Sequence, residues 1–162
     1  INADGTLTYT PNSDFNGNPP SIIKLRDGRL AVTYGFRGRP TALCAKLSGD
    51  NGKSWSFLSK LGETGDWNGN PPALVKLKDG RLCCVYGNRA QRRMYAAISN
   101  NEGATWTGRI ILRDDFRKDT EQDLGYPRLV QRADGKLVAM YYWATKKRPQ
   151  QHIAATIWKQ QK

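Results

Sequence analysis

The 162-residue sequence predicts an all-β fold: a β-propeller of about three four-stranded blades, half of a six-bladed ring. Three observations carry that expectation. The phrase NGNPPSIIKLRDGRL, from Asn16 to Leu30, returns as NGNPPALVKLKDGRL from Asn68 to Leu82. Three Asp-Gly pairs, Asp27-Gly28, Asp79-Gly80 and Asp134-Gly135, each separate two apolar runs, which is a hairpin signal. The pairs recur about every 50 residues, the length of one four-stranded blade.

Each unit opens on a short apolar strand (SIIKL, ALVKL, RLVQR), crosses the Asp-Gly turn and runs back as RLAVTYG, RLCCVYG or KLVAMYYW. A third strand follows as TALCAKLS, RMYAAIS or HIAATIW. In the first two units a Ser-to-Trp turn leads to a fourth strand, WSFLSKL or WTGRIIL. The units are expected at about 16–67, 68–122 and 123–162, within one domain covering residues 1–162. The third unit has no fourth strand of its own, and Gly5-Thr-Leu-Thr-Tyr-Thr10 stands where a closing outer strand belongs. A β-sandwich with accidental similarity is the competing architecture, and it leaves three matched hairpins and two matched turns without a cause.

Composition narrows the class further. Glycine, proline, tryptophan and tyrosine are frequent, no window repeats apolar residues at helical spacing, and no apolar run reaches the roughly 20 residues of a membrane helix. No signal-peptide pattern opens the chain, and Ile1 in place of Met suggests processing, trimming or a fragment. The formal charge of +12 favours an anionic partner, with a generally basic surface as the plain alternative. Cys44, Cys83 and Cys84 are odd in number, and adjacent cysteines point to opposite faces of a strand, so buried free thiols are expected. His152 is the one histidine, and no His/Cys cluster has metal-ligand spacing. Neither a metal site nor a cofactor is expected.

Meander connections alternate between the two ends of a sheet, so the Asp-Gly and Ser-to-Trp turns should share one propeller face. The opposite face then receives the segments entering each first strand and the second-to-third loops. That rim collects Arg37, Arg39, Arg89, Arg92, Arg93, Arg128, Lys146, Lys147 and Arg148, together with Asp14, Asp66, Glu121, Asp123 and Tyr126. The paired prolines stiffen an entry segment that lacks a ladder partner. In the third unit Gly125-Tyr126-Pro127 replaces Asn70-Pro71-Pro72, so a tyrosine breaks the repeat at the axial entry. A packing role is the plain reading of that tyrosine.

The turns Ser48-Gly-Asp-Asn-Gly-Lys-Ser-Trp55 and Ser99-Asn-Asn-Glu-Gly-Ala-Thr-Trp106 resemble the Asp-box, or BNR, repeat of the sialidase superfamily. Asn101 stands where the repeat has aspartate. The Asp box marks a fold and occurs in hydrolases, lyases and binding proteins alike. The segment GYPRLVQRADGKLVAMYY also resembles that around the nucleophilic tyrosine of bacterial sialidases, and NGNPP…DGRL…YG with DLGYPR resembles an exo-sialidase-like subgroup in its C-terminal half. The resemblance implies Tyr126 as nucleophile, and Arg37 with Arg92 or Arg93 as two of three arginines that clamp the substrate carboxylate. Bidentate guanidinium pairing suits an acidic sugar, and a tyrosine nucleophile is the recognised exception to two-carboxylate glycosidases. The family's glutamate partner for the tyrosine is proline here, at Asn18-Pro19-Pro20 and Asn70-Pro71-Pro72, so Asp123 is the substitute candidate, with Glu121 behind it. The family's first arginine and acid aspartate belong to blades N-terminal to this stretch.

The expected function is a sialidase-like glycoside hydrolase acting on an anionic glycan, with Tyr126 and Asp123 catalytic and Arg37, Arg89, Arg92, Arg93 and Arg128 binding substrate. A non-catalytic carbohydrate- or protein-binding propeller is the alternative. Nucleic acid is disfavoured, because few aromatic residues interleave the basic loops as stacking platforms. Compartment is not set by the residues, and the resemblance favours a secreted or periplasmic setting. An open half-ring exposes sheet edges, so either a homodimer completing six blades or membership of a longer chain is expected, with the dimer preferred.

Overall fold

The computed structural model describes residues 17–37, 41–65, 70–119 and 123–159. The expected strand at residues 5–10 lies outside them, as do Asp14, Arg39, Asp66 and Glu121. The first sheet holds β1 (Ser21–Lys24), β2 (Leu30–Phe36), β3 (Ala42–Ser48) and β4 (Ser56–Gly62). The second holds β5 (Ala73–Lys76), β6 (Leu82–Asn88), β7 (Arg93–Ser99) and β8 (Ile110–Arg113). The third holds β9 (Gly125–Gln131), β10 (Leu137–Trp143) and β11 (His152–Trp158). Every sheet is an antiparallel meander with strands in sequence order. None of the described residues forms a helix long and apolar enough to cross a membrane.

The three Asp-Gly turns are built alike. Leu25 N–H donates to the Arg29 carbonyl, Gly28 N–H to that of Leu25, and Arg29 N–H to Asp27 Oδ1 at 3.1 Å. The same three bonds recur at Leu77–Arg81 and at Arg132–Lys136. Gly28, Gly80 and Gly135 sit at φ of 92°, 91° and 82°, the left-handed position of a three-residue loop closed by a glycine bulge.

The Ser-to-Trp turns follow a second shared pattern. Ser48 Oγ accepts from Gly52 N–H, Asp50 Oδ1 accepts from Ser54 N–H, and the Trp55 indole donates to the Gly52 carbonyl. Ser99, Gly103, Asn101, Thr105 and Trp106 repeat each of these bonds. Asn101 also donates from Nδ2 to Thr105 Oγ1, where Asp50 accepts from the Ser54 hydroxyl. The amide thus reproduces the carboxylate's geometry, and the turn survives the substitution.

The inner strands stand side by side, β5 between β1 and β9. One core lies between the first and second sheets, around Leu43, Leu74, Leu82, Cys84 and Tyr86, and another between the second and third, around Cys83, Val85, Met94, Ile98, Tyr141 and Trp143. Burying each of these aliphatic side chains contributes about 1.5–3 kcal/mol. The second sheet is covered on both faces, which is why β6 reads as a continuous apolar run. Cys83 faces the third sheet and Cys84 the first, and all three cysteines are buried free thiols. Burial pushes the Cys83 thiol up to about 12.

The outward face of the third sheet is apolar, and none of the described residues covers it. Ile153 and Ile157 are 57% and 55% exposed, along with Val130 and Met140. By strand register, Ile153 and Ile157 occupy the positions that Met94 and Ile98 hold in the second sheet, where both are buried.

Loop ends segregate as the meander requires. Arg29 of the first Asp-Gly turn pairs with Glu102 of the second Ser-to-Trp turn at 2.8 Å, and Lys78 Nζ donates to the Ala133 carbonyl of the third Asp-Gly turn. The entry segments and second-to-third loops meet at the opposite end, where Gln151 Nε2 donates to the Asp123 carbonyl.

Candidate functional site

At that opposite end the repeat breaks. β9 has seven residues where β5 has four, because Gly125-Tyr126-Pro127 joins the ladder that Asn70-Pro71-Pro72 does not. The register slips between Met140 and Tyr142, which brings Tyr142 opposite Gly125 and throws Tyr126 into a bulge. Gly125 lies at φ 106° and Tyr126 at φ 52°. An aromatic residue in the left-handed region is uncommon and costs about 1–3 kcal/mol, a strain that concentrates at functional positions. The Tyr126 ring is 39% exposed, 5.8 Å from the equally exposed ring of Tyr142.

Arg89, just past the end of β6, reaches across to this bulge. Its Nε donates to Asp123 Oδ1 at 2.5 Å and its Nη2 to Oδ2 at 3.1 Å, a bidentate pair. Asp123 Oδ1 also accepts from the Leu124 N–H at 2.8 Å. The Arg89 guanidinium lies 5.8 Å from the centre of the Tyr126 ring, so a fixed cation faces the phenol. The Asp123 carboxylate therefore bears on Tyr126 through Arg89.

Beneath the bulge lies Asn70, fully buried. Its Nδ2 donates to the Leu124 carbonyl at 2.9 Å, while its Oδ1 has no hydrogen-bond partner among the described residues. Three glycines make room for it, one from each sheet. Side chains at Gly35 or Gly125 would collide with it, and a Cβ at Gly87 would lie 2.9 Å from Nδ2. At Gly35 the Cβ would meet the Asn70 backbone, and at Gly87 and Gly125 its carboxamide, so a bulkier residue at any of them displaces Asn70.

Arg37 occupies in the first unit the position of Arg89 in the second, and its Nη2 donates to Asn18 Oδ1 at 3.0 Å. Arg128 lies on β9 opposite Met140, exposed, with Nη1 donating to the Pro127 carbonyl. Arg92 and Arg93 are seated away from Tyr126. Arg92, at φ 54°, donates from Nη1 to the Arg117 carbonyl and lies over the Phe116 ring. Arg93 sits beside the Tyr95 hydroxyl. Further out, Arg117 holds Asp119 at a pKa of about 2 and donates to the Pro149 carbonyl, tying the rim loops together. Of the sequence-predicted set, Tyr126, Asp123 and Arg89 form one contact group. Asn70, Tyr142 and Gln151 join that neighbourhood without having been singled out, although Asn70 had a signal in the repeated NGNPP phrase. A shallow groove of about 260 Å³ near Lys60, Glu63 and Arg109 borders none of these residues.

A family model described as a BNR repeat-like domain matches residues 4–139. Among solved structures, a protein of unknown function from Dyadobacter fermentans is 29% identical with a TM-score of 0.69, over 87% of this chain and 37% of that one. An α-L-arabinanase from Penicillium chrysogenum complexed with arabinobiose is 20% identical, TM-score 0.67, over 91% of this chain and 48% of its own. The Hadza microbial sialidase Hz136 is 19% identical, TM-score 0.61, over 86% and 34%. The chain thus spans between about a third and a half of these structures. No curated protein matches it.

Proposed function

Since the chain belongs to the BNR repeat-like family, within the sialidase-like β-propellers, we propose that it forms part of a glycoside hydrolase acting on an acidic glycan, with Tyr126 as nucleophile. One observation carries the reading: the residue that breaks the repeat is an exposed tyrosine on a strained bulge, facing the Arg89 guanidinium. Asp123 orients Arg89, and Arg89 holds a fixed cation over the Tyr126 ring. Arg37 and Arg89, at one repeat position in successive blades, with Arg128 on β9, supply the guanidinium groups for a substrate carboxylate. The Tyr126 hydroxyl gives its proton to a base as its oxygen attacks the anomeric carbon and the glycosidic C–O bond breaks, and the leaving oxygen takes a proton from an acid in the rest of the ring. Water then attacks the same carbon and gives a proton back to that acid's conjugate base, while the C–O bond to Tyr126 breaks and the protonated base returns its proton to the tyrosine oxygen, restoring the phenol. Neighbours named as a sialidase and an arabinanase make a sugar ligand the natural choice on this scaffold.

The alternative, a propeller that binds glycans without turnover, has one specific support. The Asp123 carboxylate is engaged by Arg89 and the Leu124 N–H, rather than by the phenol it would deprotonate. A panel of chromogenic acidic sugars, run with wild type and Tyr126→Phe, separates the two. Turnover lost in the variant with glycan binding kept within a few-fold supports the nucleophile. Unchanged turnover removes it, and binding without turnover in wild type favours the alternative.

For assembly, the proposal is that further blades close the ring on the outward face of the third sheet, in a second copy of this chain or in more of the same polypeptide. The exposed Ile153 and Ile157, at positions buried in the second sheet, support it.

A further inference from the structure

We infer that Asn70 is the positioning residue for Tyr126: its carboxamide holds the Leu124 carbonyl and sets the backbone from which the tyrosine projects. The inference rests on the reading of Tyr126 as the reacting group. The repeat supplies the argument. In the first unit the corresponding asparagine, Asn18, offers Oδ1 to Arg37 of its own blade. In the second unit the corresponding arginine, Arg89, has turned instead to Asp123 of the third unit. Asn70 Oδ1 is left buried without a partner among the described residues, and Nδ2 has gone across the blade boundary to Leu124. A buried amide oxygen is costly to leave unsatisfied, so the arrangement persists because both groups now serve the third unit.

Leu124 is followed at once by the two left-handed residues Gly125 and Tyr126, and the Asn70 side chain fills the space where a Gly125 Cβ would be. The hydrogen bond fixes the peptide before the bulge, and the packing excludes other backbone paths through it. Arg89 lies over the ring itself. The chemistry asks for an amide at this place, since Leu124 presents an acceptor and only a donor can hold it. An ionised aspartate of the same shape would repel it.

That difference gives the test. Protein labelled at tyrosine Cζ with ¹³C is compared as wild type, Asn70→Asp and Asn70→Ala from acid to neutral pH, with Tyr126→Phe assigning the resonance. Differences are taken from wild type at each pH, so that Asp123, Arg89, Tyr142, Arg128 and His152, common to all, cancel. The expected result is a Tyr126 signal in Asn70→Asp that is displaced wherever the new carboxyl is ionised and returns toward wild type on acidification, when the protonated carboxyl can donate to Leu124. In Asn70→Ala the displacement should persist at every pH. A Tyr126 signal unmoved in both variants, or one that acid does not restore in Asn70→Asp, overturns the inference. If the variants do not fold, the wild-type Asn70 carboxamide protons decide: slow solvent exchange supports the hydrogen bond, and exchange as fast as in an exposed asparagine overturns it. With a turned-over glycan, Asn70→Ala should lower kcat about 10- to 100-fold with little change in KM, as for a misplaced reacting group, and an unchanged kcat in that variant overturns the inference. Full turnover in Tyr126→Phe would defeat the nucleophile reading alone, because the resonance reports ring placement without substrate.

Discussion

Arg37 and Arg89 stand at the same position of successive repeats, two residues after the buried glycines Gly35 and Gly87, yet they grip different partners. Arg37 stays with Asn18 of its own unit. Arg89 crosses to Asp123 of the next. Asp123→Ala should therefore let Arg89 fall back toward Asn70 Oδ1 and leave the face of Tyr126. A structure of the variant checks this, and Arg89 remaining beside the Tyr126 ring would count against it. The pair is half-exposed on the Asp123 side, so its loss should cost about 1 kcal/mol, between exposed and buried pairs. Thermal unfolding should shift down by about 2–4 °C.

Arg89→Lys keeps the charge and loses the fork. A lysine ammonium cannot bond both Asp123 oxygens with the planar geometry now present. Turnover on an acidic glycan should fall at least about tenfold, more than charge conservation alone would suggest. Wild-type rates in this variant would show that the bidentate pair does not serve the site.

Gly125→Ala meets two penalties at once. Its φ of 106° is open to glycine, and the new methyl would collide with the buried Asn70 carboxamide. Destabilisation of about 1–3 kcal/mol is expected from the backbone alone. Gly135→Ala is the control, because it shares a positive φ of 82° and has nothing close to its Cβ. Denaturant titration should therefore rank Gly125→Ala as the more damaging, and equal losses would show that the Asn70 contact adds nothing.

Asp50 offers a pH test of the first Ser-to-Trp turn. Hydrogen bonds from the Ser54 hydroxyl and N–H, and from the Ser48 hydroxyl, hold its carboxyl at about 2, below the ordinary 3.8. The group binds its proton less readily when folded, so its contribution is present above the ordinary value and is lost as pH falls through about 2. Asp50→Ala should lower the melting temperature at neutral pH, by an amount that shrinks between those two values. Asp50→Asn should stay near wild type, because Asn101 already builds the same turn in the second unit. Equal damage from both changes would refute that equivalence.

The outward face of the third sheet makes an assembly prediction. Ile153→Lys with Ile157→Lys should leave the fold intact, since both side chains are exposed, while weakening any docking of a further blade there. Light scattering at micromolar concentration checks it. A wild-type chain that is already a stable, dispersed monomer would defeat closure by a second copy.

Much of this architecture can be read along the chain because its causes are local. The apolar runs RLAVTYG and RLCCVYG, the Asp-Gly turn with its glycine at positive φ, and the serine that collects the N–H of Gly52 or Gly103 each depend on residues within a few positions. The break at Tyr126 was legible for the same reason, as a departure from a repeated phrase. Arg92 lies in the loop between β6 and β7 and Arg93 opens β7, but the direction of a side chain at a tight turn is not written in spacing. The left-handed backbone at Arg92 accompanies a guanidinium seated over the ring of Phe116.

By itself, then, the sequence determined the strands, their turns, the repeat and the end of the sheets at which the unusual tyrosine stands. Only the tertiary structure decided that Arg89 reaches Asp123, 34 residues later, and that Asn70 reaches Leu124, 54 residues later. Both contacts cross from one sheet to the next. They depend on how closely β5 and β9 approach, and that distance is set by the glycines at 35, 87 and 125 and by the apolar faces packed beneath them. A pattern within one strand can state what that strand will be. The partner of a side chain at its end is chosen by packing between sheets, where a single methyl group decides which atoms can meet.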